Sequence, residues 1–112
     1  MSVCNVKKKE LQKRGIQDFE EWNAMENTVY IGRNMSFYVK GTTQSKWYNP
    51  FSVKKFGREK CLQLYEDYLR NNSELMSCLE ELRGKELGCW CHDLSCHGDI
   101  ILKLLDESFQ SH

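Results

Sequence analysis

Residues 85–105, KELGCWCHDLSCHGDIILKLL, decide how this chain is read. Residues 85–91 alternate in the manner of a β-strand. A polar loop follows, and GDIILKLLDESF then has the periodicity of an amphipathic helix with Ile101, Leu104 and Leu105 turned inward. Strand, loop and helix in that order is the unit of a parallel α/β sheet, where ligands gather at the carboxyl ends of strands. The loop is chemically dense: Cys89, Cys91, His92, Cys96 and His97 fall within nine positions, accounting for three of the six cysteines and two of the three histidines.

The flanking sequence extends the same pattern. SVCNV alternates and carries β-branched residues, predicting a first strand, and the polar KKKELQKRG reads as a surface connection. IQDFEEWNAM sets Phe19, Trp22 and Met25 at helical spacing, and TVYIG is a strand closed by Gly32. MSFYVKG is either another strand or the first half of a long excursion reaching Val53. GREKCLQLYEDYLRNN places Cys61, Leu64, Tyr65, Tyr68 and Leu69 on one helical face and ends at Asn71-Asn72. SELMSCLEELRG predicts a helix from a Ser73 N-cap to Gly84, with Leu75, Cys78, Leu79 and Leu82 as its apolar stripe. The expected architecture is a single small α/β domain over residues 1–112. Its sheet is mostly parallel, of three or four strands, flanked by helices and joined by right-handed crossovers.

A chain of 112 residues can bury a real core without covalent staples. Its 40% apolar and 12% aromatic content excludes a disordered chain. No segment approaches the roughly 18 consecutive apolar residues of a membrane span, and MSVCNVKKKELQKRG lacks the apolar run of a secretory signal. The expected setting is therefore cytoplasmic or nuclear, not secreted and not membrane-bound, where thiols stay reduced. The formal net charge is zero, which disfavours a non-specific nucleic-acid coat as the function. That total hides a split. Residues 1–60 carry 12 Lys/Arg against 6 Asp/Glu, and residues 61–112 carry 4 against 10. Either the basic half forms a face that attracts a phosphate-bearing ligand, or the halves interleave in space.

Four readings of the cysteine cluster are open. Cys89, Cys91, Cys96 and His97 supply the donors of a Cys3His zinc site, with Cys4 or His92 as substitutes. Zinc–sulfur bonds of about 2.3 Å hold sulfurs roughly 3.8 Å apart, whereas residues i and i+2 of a strand stand roughly 6.5–7 Å apart. Cys89 and Cys91 share a metal only if the strand bends. In the second reading Cys96, just before the last helix, is a thiolate nucleophile or part of an anion cradle, with His97 as its proton-transfer partner. Asp99, in the first turn, caps that helix or orients His97. The third reading is a redox pair of Cys91 and Cys96. The fourth treats cysteines as small core hydrophobes, which suits Cys61 and Cys78 on their apolar stripes and either Cys89 or Cys91 on the inward strand face, and suits Cys96 and His97 in a polar loop less well.

A second constellation lies in YIGRN and TTQSKWYNPFSV. Arg33 follows a strand end. Ser45, Lys46, Trp47, Asn49 and Pro50 then combine a hydroxyl, a cation, an aromatic plane, an amide and a rigid turn. Such a set can grip a planar ring bearing phosphate, with Trp47 stacking, Lys46 and Arg33 pairing charge and Asn49 hydrogen-bonding. The plainer alternative is a structured loop in which Trp47 and Phe51 plug the core.

VYIGR, SKWYNPF, ELRGKELGCWC and CHGDIIL occur in the order and spacing of the family called domain of unknown function 4326, which this chain resembles over about residues 28–105. The resemblance implies a compact α/β domain. It marks Arg33, Ser45, Lys46, Trp47, Asn49, Pro50, Cys89, Cys91, Cys96, His97 and Asp99 as positions matching the family's motifs, and it brings no activity with it. Tyr48 stands where the family usually has glycine, and residues 7–27 form a longer connection than usual.

The expected function is a small-ligand domain with an anion- or nucleotide-binding site. Its floor is the loop from Cys91 to His97 with the start of the last helix. Its walls are Arg33 and residues 45–50, and in an enzymatic version Cys96 and His97 carry the chemistry. The alternatives are a zinc-stabilised module acting through protein or nucleic-acid contacts, and a thiol redox sensor.

Overall fold

A computed structural model describes residues 2–90 and 96–110. The strand expected at residues 85–91 forms at Glu86–Cys89 (β3) and is the middle of a wholly parallel three-stranded sheet. Ser2–Asn5 (β1) flanks it on one side and Thr28–Tyr30 (β2) on the other, with Cys4 and Tyr30 both in register with Gly88. The pairing continues past the carboxyl ends, where the Val6 N–H donates to Cys89 O and the Ile31 N–H to Gly88 O, both at 2.9 Å. The α/β class and the strand number agree with the sequence reading.

Parallel strands cannot be joined by tight turns, so long crossovers cover both faces of the sheet. Lys8–Lys13 (α1) and Phe19–Asn23 (α2) connect β1 to β2. Val53–Phe56 (α3), Arg58–Arg70 (α4), Ser73–Ser77 (α5) and a 3-10 turn at Leu79–Leu82 lie between β2 and β3. His97–Gln110 (α6) follows β3. Strand alternation then divides the core. Leu87 and Cys89 pack with Tyr65, Leu69, Ile101 and Leu105 on the face covered by α4 and α6. Cys4, Val6 and Tyr30 pack with Leu11, Phe19 and Trp22 on the face covered by α1 and α2. Among the described residues no helix is long and apolar enough to cross a membrane.

Three local readings change, and MSFYVKG takes the second of the two readings open to it. KKKELQKRG contains a helix, α1, rather than a bare connection. Leu11 is its buried anchor, and Lys, Glu and Gln around it are good helix formers that carry no apolar stripe to announce the helix. The segment from residue 73 is not one helix. Asn72, not Ser73, is its N-cap, with Oδ1 accepting the Leu75 N–H at 3.0 Å. α5 stops at Ser77, and the tighter turn that follows keeps Leu79 and Leu82 inward at a spacing of three. MSFYVKG is an excursion of turns, not a strand. Met25, expected on the apolar face of α2, lies beyond that helix's end and is exposed.

Gly88 explains how the second face closes. A Cβ there would overlap the Trp22 ring and the Val6 side chain, so only a bare backbone lets Trp22 lie on the middle strand. Glu86, two residues earlier on the same face, fixes that indole: Trp22 Nε1–H donates to Glu86 Oε1 at 2.7 Å, and Arg14 makes a two-pronged pair with the same carboxylate at 3.1 and 3.3 Å. Arg14 also donates to the Cys4 thiol at 3.0 Å, and burial pushes that thiol's pKa up. Burial likewise works against ionisation of Glu86, but Trp22 and Arg14 more than offset it and hold the carboxyl below its ordinary range.

A carboxyl whose folded pKa is depressed stabilises the fold above its unfolded value, and that contribution is lost as pH falls through the folded one. Glu86→Ala therefore lowers unfolding free energy at neutral pH by about 1–2 kcal/mol, because the indole N–H and the guanidinium lose their half-buried acceptor. Denaturant titrations across pH should show the gap between variant and wild type narrowing below the ordinary glutamate value of 4.5.

Candidate functional site

The helix that follows β3 begins unusually close to the sheet. A Cβ on Gly98 would meet Val3 at 2.8 Å and Ile31 at 3.0 Å, so the first turn of α6 rests directly on β1 and the end of β2. Cys96 caps this turn. Its Sγ accepts the Gly98 N–H at 3.3 Å, its carbonyl accepts the Asp99 N–H at 3.0 Å, and the Asp99 carboxylate reaches back to the Cys96 N–H at 3.0 Å. This is a variant of the capping box, with a thiol in place of the usual hydroxyl and the second rather than the third helical N–H as its donor. Asp99 thus fills the capping role expected of it, and the protein's own carboxylate occupies part of the space where an external anion would sit.

The capped turn places Cys96 against the end of β3. Cys89 and Cys96 are both buried, and their sulfurs stand 3.3 Å apart. The five described cysteines are thiols, not disulfides. The sequence reading grouped Cys89, Cys91, Cys96 and His97 as zinc donors and named Cys91 and Cys96 as the redox pair. The structure instead joins Cys89 to a residue seven positions away across the strand–helix junction. Cys91 and His92 lie outside the described residues.

His97 is buried, with Nε2 2.7 Å from the Ile31 carbonyl. Only an N–H can meet a carbonyl at that distance, so the Nε2 proton is committed to the end of β2. The ring stands edge-on to Tyr65, with centroids 5.1 Å apart. Among the described residues no three of His, Cys, Asp and Glu come together as metal ligands, so His97 does not join Cys89 and Cys96 in such a set.

Tyr65 links this junction to the second constellation. Its hydroxyl donates to Trp47 O at 2.6 Å from a fully buried position on α4. Burial, reinforced by the nearby Tyr68 and Cys96, raises its phenol far above the ordinary range and keeps it protonated. Trp47 is 2% exposed and packs in the same core as Cys89 and Cys96, so its ring offers no open face to a ligand. The polar groups around it hold the loop together. Ser45 donates its backbone N–H to Gly32 O and accepts the Trp47 N–H at Oγ, both at 3.0 Å. Asn49 gives Nδ2 to the Cys61 thiol at 3.2 Å and accepts the Phe51 N–H at Oδ1 at 2.9 Å. Arg33, although exposed, donates to Asn49 O at 3.1 Å and to Phe51 O at 3.4 Å. Lys46 pairs with Glu81 at 2.7 Å, and Pro50 is exposed.

The structure thus brings residues 45–51 and the Cys96–His97 turn into one packed unit, while most of the side chains expected to grip a ligand serve that packing. Sequence reading placed Tyr65 on an apolar helical stripe and missed its bridging role. The available signal was its hydroxyl, since a buried phenol must find a hydrogen-bond partner.

A family model described as Domain of unknown function (DUF4326) matches residues 15–107, and the chain belongs to that family. The match extends the motif-bearing stretch of residues 28–105 back through α2. An uncharacterised protein of Acanthamoeba polyphaga mimivirus is 33% identical over 85 residues, covering 68% of this chain and 65% of that protein. An uncharacterised 12.4 kDa protein in the nrdA-td intergenic region of Enterobacteria phage T4 is 35% identical over 68 residues, covering 57% of this chain and 63% of its own length. The chain thus spans just under two thirds of the length of these curated relatives. No solved structure matches the chain.

The capping box yields a direct check. Asp99→Ala lowers stability by about 0.5–2 kcal/mol in chemical denaturation, the usual worth of a cap, and Asp99→Asn, which keeps an acceptor oxygen, recovers most of it.

Proposed function

We propose that this DUF4326 domain is a small-ligand domain that works through sulfur, with Cys96 as the reacting thiol and Cys89 as its partner. The observation that carries this reading is the 3.3 Å contact between the two sulfurs. One sits at the end of the middle strand and the other caps the helix resting on the sheet.

A disulfide bond is about 2.05 Å long, so the pair needs only a small closing movement to form one. The chemistry is thiol–disulfide exchange with a small disulfide as oxidant. When the first turn of α6 opens locally and exposes the buried Cys96, its thiolate attacks one sulfur of that disulfide, forming a mixed disulfide and releasing the other half as a thiolate. Cys89 then attacks the Cys96 sulfur, closing the Cys89–Cys96 bond and releasing the second half. The protein loses two electrons and two protons, and the small disulfide is reduced to two thiols. The Gly98 N–H and the dipole of α6 favour a thiolate at Cys96, against its burial and the adjacent Asp99 carboxylate. His97, locked on Ile31 O, is a positioning residue that fixes the turn carrying Cys96. A reducing cytoplasmic or nuclear setting belongs to this proposal, because it keeps the pair in its dithiol form at rest.

The same spacing favours a second reading. Two sulfurs on a tetrahedral zinc stand roughly 3.8 Å apart, about half an ångström wider than here. Zinc would take Cys89 and Cys96 as two of its donors.

Both readings meet in one experiment. Protein purified without chelator is weighed by native mass spectrometry, then treated with oxidised glutathione and digested with trypsin. Under the dithiol reading the chain carries no zinc, and the peptide spanning residues 86–103 loses the mass of two hydrogens. Cys89→Ser and Cys96→Ser each abolish that loss, whereas Cys91→Ser leaves it. Stoichiometric zinc that disappears in Cys96→Ser establishes the metal reading instead. A disulfide that survives Cys89→Ser but not Cys91→Ser moves the pair to Cys91 and Cys96 and overturns the assignment.

A further inference from the structure

The basic excess of the first half is concentrated in one stretch. Residues 33–60 carry seven Lys/Arg and a single acid, Glu59. The same stretch holds four of the five large apolar side chains that are exposed among the described residues: Phe37 at 90%, Tyr38 at 78%, Val53 at 43% and Phe56 at 37%.

The aromatic pair is presented by a built loop. Residues 33–44 leave the carboxyl end of β2 and return to it, and the Ser45 N–H donated to Gly32 O closes the neck at 3.0 Å. Within the loop, Met35 O accepts the N–H groups of Tyr38 and Val39 at 2.8 and 2.7 Å. The buried Thr42 hydroxyl donates to Val39 O and accepts the Met35 N–H. Val39 packs into the α1–α2 core, so the loop spends one apolar residue inward and turns its two aromatic neighbours outward. Phe37 and Tyr38 stand edge-to-face, 5.1 Å apart. Arg33 ties the loop's base to the carbonyls of Asn49 and Phe51. From there Phe51 contacts Phe56, and the Lys55 ammonium lies 5.3 Å over the Phe56 ring.

From this arrangement we infer that residues 33–60 form a surface for single-stranded nucleic acid, with Phe37 and Tyr38 as the stacking platform. Unpaired bases expose π-faces that stack on such rings without regard to sequence, while the phosphates follow the cations. A duplex keeps those faces stacked internally and has less to offer an aromatic pair. Asn34, Ser36, Thr43 and Gln44, on the same loop, supply donors and acceptors suited to base edges. Acids from outside the stretch reach two of its cations, Glu81 at Lys46 (2.7 Å) and Glu20 at Lys40 (4.0 Å), so the charge offered to phosphates rests on Lys54, Lys55 and Lys60. The surface is independent of the thiol pair.

Fluorescence anisotropy with a labelled oligothymidine of about 12 nucleotides and a duplex of equal length tests the inference. The single strand should bind more tightly than the duplex. Phe37→Ala and Tyr38→Ala, both at exposed positions, should each weaken it by roughly tenfold. Lys54→Ala with Lys55→Ala should weaken binding across sequences and reduce the log–log salt slope by about 0.7 per charge removed. Cys96→Ser should bind the oligonucleotide like wild type, which separates this surface from the sulfur chemistry. Equal affinity for the duplex, or undiminished binding by the two aromatic variants, overturns the inference. So does binding to phosphatidylserine vesicles with none to the oligonucleotide, or a Phe37-dependent dimer in sedimentation that binds no oligonucleotide.

Discussion

The first turn of α6 lies directly on the sheet because Gly98 puts no side chain between the helix and Val3 or Ile31. A helix seated that closely brings its N-cap residue down to the level of the strand ends. Cys96 therefore meets Cys89 sulfur to sulfur, and His97 reaches the Ile31 carbonyl. The capping box between Cys96 and Asp99 holds the turn in place once it is there. Remove the close approach and neither the thiol pair nor the histidine contact has a reason to form.

The opposite face of the sheet depends on a matching glycine. Gly88 admits Trp22 onto the middle strand, and Glu86 then fixes that indole with help from Arg14. A short parallel sheet of three strands is stable only when both faces are covered, and the two glycines let each cover approach. The aromatic cluster beside Trp22 finishes the second layer: Trp90 Nε1–H donates to the Tyr30 hydroxyl, which donates in turn to Arg33 O, both at 2.6 Å. These bonds fix the point at which the chain leaves β2, which is also the base of the loop that displays Phe37 and Tyr38.

Much of the fold could be read along the chain. The strands at the first residues, at TVY and before Cys89 alternate clearly, and α4 and α6 carry full apolar stripes. α1 escaped because one leucine is its whole apolar face, and residues 73–82 broke into two pieces because a 3-10 turn keeps a leucine pair inward as well as an α-helix does. The candidate site was legible as a location. Its roles were not, because residues with ligand-gripping chemistry, such as Asn49 and Trp47, use that same chemistry to hold their own loop. A side chain's hydrogen-bonding capacity is visible in its type, whereas the partner that takes it is not.

Taken alone, the sequence determined the α/β class, the family and the segment where sulfur and imidazole collect. Periodicity and local motif spacing record exactly these properties, since they depend on residues close together along the chain. Tertiary structure decided which cysteine meets which, that Trp47 is core, that Tyr65 bridges the two motifs, and that Phe37 and Tyr38 stay outside. Each of those outcomes follows from a crossover or a close approach between distant segments. The distance between residues seven or eighteen positions apart is set by how layers pack, not by the chain between them.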